Sequence, residues 1–142
     1  MKSRVLRLRG RPIVSGRCQG LALVSMKPIS FFGGVDSNSG RIIERGHDLE
    51  GINVKGKILC FPHGHGSTVG SYVLYALVKK GFGPIGMLVQ EADTVVVAGA
   101  IIADIPMIDQ IEITQISAGD EIEIDGSKGI VTITKTKANA PT

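Results

Sequence analysis

Hydrophobic positions along the chain predict short buried strands around one amphipathic helix. Apolar runs at Gly20–Ser25, Lys57–Phe61 and Ile85–Val89 have the length of buried strands. Ser67–Lys80 carries apolar residues at helical spacings of three and four, namely Val73, Leu74, Leu77 and Val78. Gly81 ends this helix. A strand, a helix and a strand at this length predict a βαβ-like unit with a parallel strand pair.

The second half of the chain continues the β-rich pattern. Val95–Ala98 is a third apolar run with the composition of a strand, and Ile101–Met107 continues as an apolar segment. Glu121–Ile124 and Ile130–Thr134 alternate apolar and polar residues, which predicts a hairpin. Residues 135–142 are predicted to fray. We therefore expect a single α/β domain over residues 1–142, rich in short strands, with one principal helix.

Composition narrows the class of protein. The chain has 142 residues, of which 43% are hydrophobic and 20% charged, so it can build one core and is not disordered. Two cysteines exclude a disulfide scaffold and are too few to hold an iron–sulfur cluster. The apolar runs are too short to cross a membrane, and no apolar signal segment follows the basic residues at 1–11. We expect a soluble cytoplasmic protein.

The net charge of +3 comes from one end of the chain. Six basic residues and no acidic ones precede residue 18, namely Lys2, Arg4, Arg7, Arg9, Arg11 and Arg17. We interpret them as a solvated strand face, in which arginines alternate with Leu6 and Leu8, or as a rim that attracts anions. Nucleic-acid binding remains a weaker alternative, because aromatic residues make up only 4% of the chain.

The glycine-rich segment Phe61–Tyr72, FPHGHGSTVGSY, is the best candidate for chemistry. It joins a predicted strand to the predicted helix, and the amides at a helix N-terminus point outward without partners. Gly64 and Gly66 allow other atoms to approach the backbone. This pattern predicts an anion site, but an ordinary N-cap at Ser67 with turn glycines fits equally well. The segment lacks the patterns of a Walker A loop and of a hydrolase nucleophile elbow.

Other polar residues leave several roles open. His63 and His65 could form a metal pair, but no third ligand is evident, so anion binding or simple solvation is the better interpretation. Gly33–Asp36 predicts a tight turn that exposes backbone amides. Three carboxylates lie near strand ends, namely Glu91, Asp93 and Asp109. Each could be a helix cap, a salt-bridge partner or a site residue, and their spacing does not decide between these roles.

Taken together, six segments resemble a known family. They are FFGGVD (31–36), GRII (40–43), HDLEG (47–51), KILCFPHGHGSTVGSYVLY (57–75), QEADTVVVAGAIIADIPMID (90–109) and GDEIEIDG (119–126). In this order and spacing they resemble the small subunit, or swivel domain, of the aconitase X family, over about residues 10–133. The resemblance implies the swivelling β/β/α fold of aconitase-like enzymes.

The resemblance also implies a site and a partner. The family's proton-accepting serine maps to Ser67, and we expect its neighbours His65, Gly66 and Thr68 to bind the substrate. A 4Fe–4S cluster is carried by the large subunit, with no cofactor or metal bound by this chain alone. We therefore expect a heterodimer with an aconitase X-type large subunit.

The resemblance implies a hydro-lyase that is active only with the large subunit. In the archaeal branch, the reaction is dehydration of (R)-5-phosphomevalonate to trans-anhydromevalonate 5-phosphate, a step of isoprenoid biosynthesis. The alternatives are the small subunit of a cis-3-hydroxy-L-proline dehydratase and a non-catalytic anion-binding or scaffolding domain. We expect no nucleic acid and no membrane among the partners.

Overall fold

The computed structural model describes residues 4–135. The strands are β1 (Arg4–Arg9), β2 (Arg11–Val14), β3 (Arg17–Val24), β4 (Ile58–Phe61), β5 (Gly86–Val89), β6 (Met107–Asp109), β7 (Glu121–Asp125) and β8 (Ile130–Lys135). The helices are α1 (Phe31–Gly34), a short irregular turn, α2 (Val69–Lys79) and α3 (Thr94–Ala103). Residues 136–142, most of the segment predicted to fray, lie outside the described residues.

The eight strands form one mixed sheet in the order β1-β8-β7-β3-β4-β5-β6-β2. Strands β1, β8, β7 and the first part of β3 pair antiparallel, whereas the last part of β3 pairs parallel with β4, followed by β5 and β6. Strand β2 pairs antiparallel with β6. Only Gly10 separates β1 from β2, so a single stretch of chain belongs to both ends of the sheet, which curls on itself.

The curled sheet and the helices make three layers with two cores. Strands β4, β5 and β6 are buried on both faces, as parallel strands usually are. One face packs against the antiparallel strands through Ile58, Leu88, Ile108, Ile122 and Ile133, among others. The opposite face packs against α2 and α3 through Leu59, Phe61, Met87, Leu74 and Ala100, among others. Helix α2 follows β4 and α3 follows β5, so both helices begin at the edge of the sheet where these parallel strands end.

Most of the predicted elements are present. The α/β class, the βαβ unit formed by β4, α2 and β5, and the C-terminal hairpin of β7 and β8 are confirmed. The strand predicted at Gly20–Ser25 is the second half of β3, which begins earlier, at Arg17. Leu6 and Leu8 are half-buried between the exposed Arg7 and Arg9 on β1, so the strand-face interpretation is confirmed for these two arginines.

The strand predicted at Val95–Ala98 is wrong, because these residues lie inside α3. The prediction of one principal helix therefore missed a second helix of nearly the same length. Its sequence, TVVVAGAIIA, is apolar on every face and has no helical periodicity, and its β-branched residues favour a strand. Packing against α2 and the sheet overrides that local preference, and the segment Ile101–Met107 is divided between α3 and β6.

Candidate active site

Ser67 lies in the loop between β4 and α2, at the carboxyl end of β4. Its side chain is exposed, and the N–H of Val69 donates to Ser67 Oγ over 3.1 Å. The helix begins at Val69, two residues later than predicted, and Thr68 occupies the N-cap position with helical backbone angles. The Ser67 hydroxyl thus accepts from the first amide of the helix while its own proton is free to be donated.

The turn around Ser67 presents further backbone donors. Among residues 4–135, the N–H groups of Gly66, Ser67 and Thr68 have no acceptor. Gly66 has φ +101°, and a Cβ at this position would lie 2.7 Å from Ser30 Oγ. Glycine is therefore required both for the conformation and for the close approach. Three unpaired N–H groups at the positive end of α2 can bind an anion.

The two glycine-rich segments of the sequence meet at this loop. Ile29 and Gly64 form a parallel bridge, in which the Ile29 N–H donates to His63 O (3.2 Å) and the His65 N–H donates to Ile29 O (3.1 Å). Phe32 and Gly33, exposed in the irregular turn α1, follow directly. Residues 29–34 consequently form one wall of the site, next to the Ser67 turn.

A carboxylate holds the opposite side of the loop. Asp93 is the N-cap of α3, where its Oδ2 accepts from the Val96 N–H (3.4 Å). Its Oδ1 accepts from the Gly64 N–H over 2.8 Å. Of the three carboxylates with open roles, Asp93 is therefore a helix cap that also contacts the Ser67 loop. Asp109 is a buried ion-pair partner of Arg11, and Glu91 is exposed.

The predicted substrate-binding residues lie side by side but present different groups. Gly66 contributes only backbone, Thr68 contributes its amide and an exposed side chain, and His65 is exposed. His63 turns back on the loop, because its Nδ1 donates to Gly64 O over 2.7 Å. The part of the chain that the structure describes contains no group of three or more His, Cys, Asp or Glu side chains able to hold a metal ion.

Two contributors to the site were missed from the sequence. Ser30 donates from Oγ to Phe32 O (2.9 Å) and packs against Gly66. The buried His47 holds the segment before Ile29, because its Nε2 donates to Pro28 O (3.0 Å), while its Nδ1 lies 3.0 Å from both Leu49 N and Asp48 Oδ1. Both residues belong to the resembling segments or flank them, but nothing in their periodicity or spacing indicated a role.

The cysteines do not fit the ligands of an iron–sulfur cluster. Burial raises the pKa of the Cys18 thiol to about 11, and burial together with the Asp120 carboxylate raises the pKa of Cys60 further. Cluster ligands are thiolates, which these surroundings disfavour. The Cys60 thiol instead faces Ile58 O at 3.7 Å, inside the core between the two halves of the sheet.

Within residues 4–135, no helix has the length and apolar character needed to cross a membrane. The basic residues near the N-terminus serve different purposes. Arg4, Arg7 and Arg9 are exposed on β1, whereas Arg17 pairs with Asp125 over 3.0 Å.

Comparisons with known proteins find one matching family and relatives that are similar over nearly the whole chain. The aconitase X swivel domain family matches residues 7–133. The chain is 53% identical, over 90% of its own length and 98% of the relative, to the phosphomevalonate dehydratase small subunit of Thermococcus sibiricus. It is 50% identical, over 90% of its length and 96% of the relative, to the protein of that name from Pyrococcus furiosus. The crystal structure of Thermococcus kodakaraensis aconitase X in its holo-form is similar, with a TM-score of 0.89 and 46% identity over 90% of this chain and 98% of that one.

Proposed function

This chain belongs to the family of aconitase X swivel domains, and from that premise we propose that it is the small subunit of a two-subunit hydro-lyase. The enzyme dehydrates (R)-5-phosphomevalonate to trans-anhydromevalonate 5-phosphate. Identity of 53% along nearly the whole length of a phosphomevalonate dehydratase small subunit is the observation that carries this proposal. The two-subunit arrangement follows from the relatives' names, each of which designates a small subunit.

Ser67 is the base of the reaction in this proposal. In the dehydration a proton leaves the carbon next to the carboxylate, its electron pair forms the double bond, and hydroxide leaves the neighbouring carbon. Ser67 Oγ, as an alkoxide, accepts the proton and becomes a hydroxyl. No other part of this chain has to change its protonation state.

The surroundings of Ser67 support this role. A serine hydroxyl is a very weak acid, so the alkoxide has to be stabilised by donors aimed at its oxygen. The Val69 N–H already donates to Oγ, and the oxygen lies at the positive end of α2. The free amides of Gly66 and Thr68 add donors for the alkoxide or for a substrate oxygen. Among the described residues no cationic side chain hydrogen-bonds to the loop, so cationic groups come from the large subunit.

The 4Fe–4S cluster of the family is assigned to the large subunit, because the buried thiols of this chain are poor ligands. The contribution of this chain is therefore the Ser67 turn. It supplies the base and the amides around it.

The test is coexpression with the aconitase X-type large subunit of the same source, followed by assay of the purified complex with 5-phosphomevalonate. Ser67→Ala should lower kcat by on the order of 10³-fold or more, because it removes a group that acts in the transition state. Ser127→Ala, which deletes the exposed hydroxyl of a remote turn, is the matched control and should retain full activity. cis-3-Hydroxy-L-proline serves as the second substrate.

Each outcome has a clear meaning. If Ser67 only caps the helix, Ser67→Ala costs about 1 kcal/mol of stability and leaves turnover intact. Turnover of cis-3-hydroxy-L-proline in place of 5-phosphomevalonate would replace the substrate and retain the base. Activity of the small subunit without any partner would contradict the two-subunit proposal.

A further inference from the structure

We infer that Asp93 is a positioning residue, which holds the Ser67 turn in its reactive place through the backbone N–H of Gly64. This inference rests on the proposed function of Ser67 as the base. Asp93 lies 26 positions beyond Ser67 and, among residues 4–135, its side chain accepts hydrogen bonds from Gly64 and Val96 but not from Ser67 or its neighbouring amides. Its effect on the reaction is therefore transmitted through the loop.

The contact between Asp93 and Gly64 is tight and specific. Asp93 Oδ1 accepts the Gly64 N–H at 2.8 Å, and a Cβ at Gly64 would overlap Val96 Cγ2 and lie 2.8 Å from Asp93 Oδ1. Gly64 itself is buried. The absence of a side chain at Gly64 thus lets the loop rest directly on the first turn of α3.

The bond from Gly64 to Asp93 is one of several hydrogen bonds that join the Ser67 loop to the segment after β5. Pro62 O accepts the N–H groups of Gln90 (3.1 Å) and Glu91 (3.0 Å), which ties the start of the loop to the end of β5. Within residues 4–135, Asp93 is the one side chain outside Pro62–Ser67 that hydrogen-bonds to the backbone of that loop. After the His65 N–H, no further bond to another segment is made until the helix begins.

The buried Asp109 holds the backbone of the segment that carries Asp93. Asp109 Oδ2 accepts the Ala92 N–H over 3.2 Å, and the same carboxylate is held by Arg11 at 2.9 Å and 2.6 Å. Asp109 is almost fully buried. The backbone next to Asp93 is therefore held in place by buried hydrogen bonds, and a residue that orients another group has to be fixed in this way.

Loss of this anchor should affect the rate more than substrate binding. A base misplaced by about 1 Å can cost on the order of 10²-fold in rate, because alignment matters most in the transition state. Residues that orient metal ligands contribute about 10- to 100-fold, and we expect an effect of the same size for a residue that orients a base. We therefore expect kcat to fall with KM nearly unchanged when the Gly64 bond is removed.

Two variants separate the anchor from the helix cap. In Asp93→Ser the short hydroxyl still caps α3 but does not reach Gly64, whereas Asp93→Ala removes both bonds. In the complex with the large subunit, we expect kcat of Asp93→Ser to fall about 10- to 100-fold, KM to change by less than about threefold, and thermal stability to be nearly retained. Asp93→Ala should show the same loss of kcat and, in addition, a lower melting temperature.

Amide hydrogen exchange of the same complexes reports on the loop without reference to activity. We expect exchange of the hydrogen-bonded Gly64 and His65 N–H groups to be about tenfold faster in Asp93→Ser than in the wild type, while α3 remains protected. Unchanged exchange there, or full kcat in Asp93→Ser, would overturn the inference. An inactive wild-type complex would instead count against the proposed function, and the exchange result would still decide whether Asp93 anchors the loop.

Discussion

Ser67 has an ordinary side chain, and its surroundings provide backbone N–H groups rather than side-chain charge. The sequence predicted the loop, because glycines before a helix mark a turn with free amides; the role of Ser67 as the base comes from the family resemblance and stays a prediction. The anchor between Asp93 and Gly64 was not predictable, since it joins residues 29 positions apart through a backbone amide. Periodicity carries no information about such a contact.

The raised pKa values of the two cysteine thiols predict how slowly these residues react. Burial raises the pKa of Cys18 from 9.0 to about 11, and the pKa of Cys60 is raised further. Because the thiolate is the reactive form, both thiols should react slowly with iodoacetamide at pH 8 in the folded protein and rapidly in urea. Labelling of Cys18, followed by mass spectrometry, should keep accelerating up to about pH 11.

The same shift has a consequence for stability. In the unfolded chain the thiols ionise near their usual pKa of 9.0, whereas in the folded protein they remain protonated to higher pH. The contribution of Cys18 to stability is therefore fully present below pH 9.0 and is lost as the pH rises through its folded pKa of about 11. Cys18→Ala should weaken the decline in this range, and a Cys18 labelling rate that levels off near pH 9 would contradict the shift.

At the scale of elements, α3 explains where sequence analysis failed. The pattern gave α2 because one face of that helix is exposed, with Tyr72 and Tyr75 opposite the buried Leu74 and Leu77. Helix α3 has no such contrast, since even its exposed positions Ile101 and Ile102 are apolar. Its N-cap at Asp93 was present in the sequence, but a single capping residue does not outweigh a run of β-branched side chains.

The contact between α2 and α3 gives a second prediction. A Cβ at Gly99 would lie 2.9 Å from Leu74 Cδ2 and 3.3 Å from Ser71 Cα, so the helices approach each other at this glycine. Gly99→Ala gains about 1 kcal/mol of helix propensity but overpacks the contact, which costs about 1–3 kcal/mol. We expect a net loss of about 1 kcal/mol in the free energy of unfolding, measured in urea.

Ala98→Gly is the matched control for that experiment. Ala98 is exposed on the same helix, so its replacement tests propensity without packing and should cost about 1 kcal/mol. If Gly99→Ala raises the stability, propensity dominates and there is room for a Cβ between the two helices at Gly99.

On the scale of the whole molecule, the stretch from β1 to β2 closes the curled sheet. A Cβ at Gly10 would overlap Asp109 O, and the Gly10 N–H donates to Gly129 O over 2.9 Å, so the chain crosses between the two halves where a side chain would not fit. On the far side, Arg11 makes two hydrogen bonds to the buried carboxylate of Asp109. The basic residues therefore differ in role. Arg11 binds Asp109 across the pairing of β2 with β6, which we call the seam, whereas Arg7 is solvated.

This difference predicts different effects of removing each arginine. Arg11→Ala leaves the buried Asp109 carboxylate with the Ala92 N–H as its remaining partner, so the melting temperature followed by circular dichroism should fall. Arg7→Ala, on an exposed position without an ion pair among the described residues, should leave the melting temperature unchanged. Equal effects of the two substitutions would indicate that net charge, not the seam, determines the change.

The global topology was only partly predictable. The parallel pair of β4 and β5 and the hairpin of β7 and β8 follow from neighbouring segments, and both were predicted. The pairing of β1 with β8 joins residues at opposite ends of the described chain, and that of β2 with β6 spans about 95 residues. Alternation predicts a strand but not its partner, so the closure of the sheet became visible only in three dimensions.

The position of β1 has a consequence for how the protein is made. This strand leaves the ribosome before its partner, Ile130–Lys135, which lies more than about 120 residues later in the chain. Until then β1 has an unpaired edge, and the core beneath Leu6 and Leu8 is open. The sheet therefore cannot close until Ile130–Lys135 has been synthesised, and the newborn chain depends on this long-range pairing, which is slow and exposes it to aggregation.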